Sequence, residues 1–221
     1  MEKAYKNLGY FLLILIPLTL LGFHKTYFGQ FPNFNKSTNT YIHLHAFIAS
    51  IWILMLIIQP ILIRNKNNTL HKRIGKASYF IFPLLILSFV PQIIRLIISD
   101  HSMVVFFPLA DSIVLTIFYS LAIYFRKNIS KHMRFMIGSA SVFLGPTFGR
   151  IGINVLGLSE SVTQNLQYGI IYVIFIALIM LDLKNKKIPT IFVDSRCLDH
   201  SSNSIQSNIL RPKGLVHKKT I

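Results

Sequence analysis

Six histidines stand at the ends of long apolar runs in this chain, and two arginines and an aspartate stand inside them. His24, His43, His45 and His101 fall at one set of run ends, His71 and His132 at the other. Two imidazoles on different helices, facing each other, are the axial ligands a b-type haem needs. One pair can be drawn between His43 or His45 and His101, and a second between His71 and His132. Two haems stacked this way would give an electron path across a bilayer. His43 and His45 are two residues apart, about 200° around a helix, so only one can face a given ring. Arg95 and Arg150 then serve the haem propionates, because the guanidinium fork matches a carboxylate.

The same residues admit plainer chemistry. His24, His43 and His45 can hold a metal ion instead, or anchor helix ends at the headgroup level with their amphipathic rings. His71 and His132 sit beside Lys and Arg, where a solvated basic loop accounts for them. His101 follows Asp100, so a local Asp–His pair is an alternative. Asp111 lies about 12 Å into its apolar run at 1.5 Å per residue. A carboxylate at that depth is protonated or matched, and Arg95 or Arg150 is the available match. One acid cannot neutralise both arginines, and the surplus positive charge can bind an anion.

These side chains need a frame, and composition names it. Of 221 residues, 52% are hydrophobic and 14% charged, against about a quarter charged in an ordinary soluble domain. Six apolar blocks reach or approach the ~20 residues that cross a hydrocarbon core as a helix. They run over 8–23, 41–63, 77–98, 103–125, 133–156 and 162–183, which predicts an all-α, membrane-embedded bundle of about six helices. The first block resembles a signal peptide in charge and length, but no small-x-small cleavage site follows it, so an uncleaved span is expected. Residues 184–221 turn polar and basic, and a disordered tail is expected there.

The net charge of +16 sits between blocks and in the tail, the pattern of loops on anionic headgroups rather than of a nucleic-acid surface. Arg64, Lys66, Lys72, Arg73 and Lys76 fill the second connection, and Arg126, Lys127, Lys131 and Arg134 the fourth; Lys184, Lys186 and Lys187 follow the last block. The other connections are poor in cations. This alternation predicts that both termini are cytoplasmic. The lone Cys197 permits no disulfide framework or cysteine metal motif within one chain. A weak repeat joins His71-Lys72-Arg73-Ile74-Gly75 to His132-Met133-Arg134-Phe135-Met136-Ile137-Gly138, each entering a block. Gln59-Pro60 and Pro91-Gln92 mark expected kinks. No phosphate-binding glycine loop, nucleophile elbow or His-Glu-x-x-His motif is present, so hydrolytic and nucleotide-driven mechanisms have no support.

Several segments carry a resemblance: Tyr27-Phe28 with Phe31-Pro32, His43-Leu44-His45-Ala46, Gln59-Pro60, His71-Lys72-Arg73-Ile74-Gly75-Lys76, and His132-Met133-Arg134-Phe135-Met136. Over about residues 20–150 the chain resembles an uncharacterised group of bacterial multi-pass membrane proteins, defined only as a domain of unknown function. The resemblance implies a bacterial plasma membrane protein with histidines at helix ends, and no particular activity. In layout alone it is similar to the six-helix, two-haem, ascorbate-linked cytochromes b, although His71 and His101 here stand outside the helices proper. Three functions stay open: a haem-binding protein serving a redox partner or respiratory complex, a small transporter or metal-handling protein, and a non-catalytic assembly scaffold.

Overall fold

Lipid offers the backbone no hydrogen-bond partner, so an apolar run satisfies its own N–H and C=O groups by closing into a helix. The computed structural model describes residues 5–34, 38–98 and 102–184, and among these the regular structure is entirely helical. The helices are α1 (Leu8–Leu12), α2 (Leu15–His24), α3 (Thr40–Arg64), α4 (Asn68–Ile98), α5 (Phe106–Tyr124), α6 (Ile129–Ser141), α7 (Leu144–Asn154) and α8 (Glu160–Lys184). Four of them, α3, α4, α5 and α8, are long and apolar enough to cross a membrane. Their outward faces carry large bare side chains, among them Phe80 at 78% and Leu87 at 62% exposure. A soluble monomer does not leave such a surface to water. The protein is an all-α membrane protein.

The expected first and fifth spans differ from single rods. The first breaks at Leu13–Ile14 into α1 and α2, and the fifth breaks at Val142–Phe143 into α6 and α7. Composition explains the second break. Gly138, Ser139, Ser141, Gly145, Thr147, Gly149 and Gly152 make this run poor in bulky apolar side chains, and both halves bury much of their surface. It is an interior element packed by other helices, where small residues let backbones approach.

Packing pairs α3 with α4, α5 with α6, α2 with α7, and α1 with α3. The centre is dry and aromatic: Trp52 of α3, Phe82 of α4 and Tyr119 of α5 meet with ring centroids 5.2, 5.3 and 3.9 Å apart. All three are at least nine-tenths buried. The Tyr119 hydroxyl reaches Ser78 Oγ at 2.8 Å, and Ser78 in turn donates to the Gly75 carbonyl at 2.6 Å. On α7, successive turns at Gly145, Gly149 and Gly152 receive α8: a methyl group on Gly149 would lie 2.9 Å from Gln167 Oε1, and one on Gly152 would lie 2.4 Å from Thr163 Cγ2.

The chain falls into two units, 1–177 and 178–221; the sites below lie in the first. Of the expected tail at 184–221, all but Lys184 is outside the described residues.

Candidate functional site

Two polar layers flank the aromatic centre. One lies at the basic rim, where α4 and α6 begin; the other lies toward the far rim, where α3, α5 and α8 begin and α7 ends.

At the basic rim, α4 and α6 start alike. Asn67 Oδ1 accepts from the Leu70 amide at 3.1 Å, and Asn128 Oδ1 accepts from the Lys131 amide at 3.2 Å. Each is a side-chain N-cap. The histidine follows four residues after the cap asparagine in both, and its amide bonds that asparagine's carbonyl: His71 to Asn67 at 3.1 Å, His132 to Asn128 at 2.9 Å. The repeat is thus longer than the sequence reading made it, Asn-x-x-x-His-x-Arg in each copy. His71 and His132 thus occupy the same position in the first turns of two helices, and the charge of His132 is felt at His71.

Their hydrogen bonds fix more. His132 Nδ1 lies 2.8 Å from the Ala122 carbonyl; a carbonyl only accepts, so Nδ1 carries the proton and Nε2 keeps its lone pair. His71 Nδ1 is buried without a partner. Beside it Gln59 Nε2 donates to the His71 carbonyl at 3.3 Å, while Gln59 Oε1 is also buried without a partner. Gln59 was read only as the neighbour of a kinking proline; here it links α3 to the first turn of α4. The arginines of the repeat diverge. Arg73 is exposed, whereas Arg134 is 6% exposed, bonds Ser130 and lies 5.5 Å from the Tyr5 ring.

Near the far rim His43 and His45 face different surroundings, as their angular separation requires. Tyr27 OH lies 2.8 Å from His43 Nδ1, and Phe34 meets the same ring edge-on at 4.6 Å. Burial pushes the Tyr27 phenol above its ordinary value, and the direction of its bond to His43 follows the imidazole tautomer. At His45 the direction is fixed. Ser88 Oγ donates to the Leu85 carbonyl at 2.5 Å and so accepts from His45 Nδ1 at 2.8 Å. That leaves a lone pair on His45 Nε2. His45 is therefore a ligand-competent ring. His101 lies outside the described residues.

His24 is exposed, with its ring over Gly29. Among the described residues no three His, Cys, Asp or Glu side chains form a metal-binding group, so His24, His43 and His45 do not converge as one. Arg95 is exposed in the last turn of α4 and makes a contact of its own. Arg150 lies 4.3 Å from the Phe23 ring and donates to the Pro146 carbonyl at 3.0 Å. Its charge acts on both Asp111 and His45. Yet Asp111, among the described residues, has no ion pair within 4.0 Å. Gln167, which the sequence gave no reason to single out, lies against Gly145 and Gly149 beside Asp111.

No protein-family model matches this chain, no curated protein is similar to it, and no solved structure matches it. Function rests on the geometry.

Proposed function

We propose that this chain is a redox-linked membrane protein that holds a b-type haem at its basic rim between His71 and His132. The observation that carries this reading is the mirrored start of α4 and α6. It puts His71 and His132 at the same position of two helix starts, and the Ala122 carbonyl beside His132 Nδ1 supports the tautomer that leaves Nε2 for iron. A hydrogen bond from Nδ1–H to a carbonyl is the outer-shell support that orients ligating imidazoles and makes them more basic. His71 Nδ1 and Gln59 Oε1 are both buried and unpartnered in the structure, and Gln59 is tied to His71 through its backbone carbonyl. Leaving such groups unpaired is costly, and iron on His71 Nδ1 would give that nitrogen a partner. A bound haem would supply one-electron transfer. The chain's own part is to orient the rings, exclude water with α3 and α5, and place the Trp52–Phe82–Tyr119 cluster next along the path.

The protein then sits in a bacterial plasma membrane with both termini in the cytoplasm, its basic rim against anionic headgroups and within reach of a redox partner. At that rim Arg64 and Lys131 lie over Tyr10 and Phe125, and Arg126 donates to the Tyr79 hydroxyl, an arrangement suited to the headgroup layer.

The test is a reduced-minus-oxidised spectrum of the full chain purified from cells supplied with iron and a haem precursor. The expected result is an α-band and a Soret shift, lost in His71→Ala and in His132→Ala and restored to either by added imidazole. His24→Ala should keep both bands. Absence of the bands from the wild type, or their survival in the double His→Ala variant, overturns the reading.

A further inference from the structure

The cations of the basic rim are not all presented alike. Arg64 bonds Asn7 and lies 4.6 Å from the centre of the Tyr10 ring. Lys131 lies 4.7 Å from the Phe125 ring, and Arg134 is buried against Ser130. One set instead faces outward between α4 and the end of α5. Arg126, just past α5, donates to the Tyr79 hydroxyl at 2.9 Å, across 47 residues of chain. Lys76 and Lys72 stand one and two turns before Tyr79 on α4. Residues three or four apart on a helix are surface neighbours, with Cβ atoms ~5–6 Å apart. All four side chains are exposed.

Helical periodicity carries this corner down the outward side of α4. Lys72, Lys76, Tyr79, Pro83, Leu87 and Val90 follow one another at steps of three or four residues and are all exposed, so they form one stripe. Its first two members are cations, its third is a phenol, and the rest are apolar. From Tyr79 to Val90 it runs about 16 Å at 1.5 Å per residue, roughly half of a ~30 Å hydrocarbon core. No carboxylate of the first unit's described residues answers the charge. Asp111 and Glu160 both stand near the far rim, in the opening turns of α5 and α8.

We propose that Lys72, Lys76 and the Arg126–Tyr79 pair hold one anionic phospholipid, its phosphate at the rim and an acyl chain along Pro83, Leu87 and Val90. The proposal rests on reading the basic rim as the cytoplasmic headgroup level, where clustered cations attract anionic lipid. The Tyr79 bond distinguishes this corner from the other cations: it fixes a loop arginine beside a helix. Tyr79 accepts from Arg126 and keeps its own hydrogen to donate. Arg126 has further N–H groups for phosphate oxygens, which its planar fork suits, and the lysines bring point charges on flexible stems. A zwitterionic headgroup offers the same phosphate but sets an ammonium among three cations, which repel it. A free phosphate gains the cations and leaves the apolar stripe unused.

The test is native mass spectrometry of the full chain in detergent, offered equal amounts of phosphatidylglycerol and phosphatidylcholine with matched acyl chains. The chain should retain one phosphatidylglycerol at least fivefold over phosphatidylcholine. Lys76→Gln combined with Arg126→Gln should cut that preference below twofold. Tyr79→Phe, which keeps all three cations, should at least halve it. Lys66→Gln combined with Lys127→Gln removes the same charge from exposed positions elsewhere on the rim and should leave the preference unchanged. An equal loss in that control pair overturns the site in favour of diffuse attraction, and leaves the rim at the headgroups. No preference in the wild type overturns both. Displacement of the lipid by excess glycerol 3-phosphate overturns the lipid in favour of free phosphate. The substituted side chains are exposed, and the wild-type competition stands without any variant. The visible spectrum of the same samples reports His71 and His132 separately.

Discussion

Gly152→Ala isolates the α7–α8 contact that carries the far-rim level. The added methyl would stand 2.4 Å from Thr163 Cγ2, 2.7 Å from Oγ1 and 3.0 Å from Cβ. Rotation about χ1 can move the first two atoms but not the third, and Thr163 is 2% exposed with no space to retreat into. One helix must shift. Overpacking of this kind costs about 1–3 kcal/mol, offset by about 1 kcal/mol from replacing a mid-helix glycine with alanine. With Cβ itself struck, the upper part of the range applies, for a net loss of about 2 kcal/mol. Gly169→Ala on α8 is the control, since nothing lies within 4 Å of its added methyl; only the helix gain of about 1 kcal/mol applies. The two variants should differ by about 3 kcal/mol, or roughly 6–12 °C in unfolding temperature for a chain of this length. Thermal unfolding followed by circular dichroism in one detergent reads this directly. Equal midpoints for the two variants would refute the close approach of α7 to α8, and with it the placement of Gln167.

Other expectations follow from single contacts. Tyr119→Phe should cost about 1 kcal/mol, but Ser78→Ala more, about 1–3 kcal/mol, because it leaves the buried phenol without its partner; ranking the two by thermal unfolding checks the order. Asn128→Ala removes the α6 cap and should cost about 1 kcal/mol, with a weaker haem spectrum because His132 stands on that turn. Tyr27 should ionise above the ordinary phenol value of ~10. The folded state resists losing that proton, so the contribution of Tyr27 to stability is intact below the ordinary phenol value and falls as pH rises past it. The alkaline difference spectrum of wild type against Tyr27→Phe gives the midpoint, and a midpoint at or below the ordinary value contradicts the partial burial of this phenol. A tag at the carboxyl end should be protected in intact cells and cleaved only after lysis.

Block lengths made the helical class legible, since hydropathy reports directly on which segments lie in lipid. The like starts of α4 and α6 were legible from their shared motif. Breaks at Leu13–Ile14 and Val142–Phe143 were not, because averaging over a window hides a one- or two-residue fault within an apolar run. Arg134 read as one more loop cation, yet it is buried: Ser130 one turn back holds its guanidinium, and Tyr5 meets it from far away in sequence. The choice between His43 and His45 depended on which hydroxyl meets each ring, Tyr27 or Ser88, and those contacts span 16 and 43 residues. Gln59 and Gln167 were invisible as site residues for the same reason: an amide becomes informative only once the helix it crosses is known.

Helix α4 ties the two levels together. Its inward stripe runs His71, Gly75, Ser78, Phe82, Leu85, Ser88 and Gln92, each three or four residues from the last. It is polar at both ends and apolar between. Leu85 is fully buried, and Phe82 stacks on Tyr119 at 3.9 Å, so no continuous polar route joins the levels along this face. Packed rings conduct electrons over such a gap far more readily than they admit a solute. A solute entering from the far rim would meet this wall, and crossing would require Trp52, Phe82 and Tyr119 to part. Pro83 and Pro91 both lie within this stretch of α4, each removing one backbone hydrogen bond from the helix. Any opening of the wall would start there, where α4 is weakest.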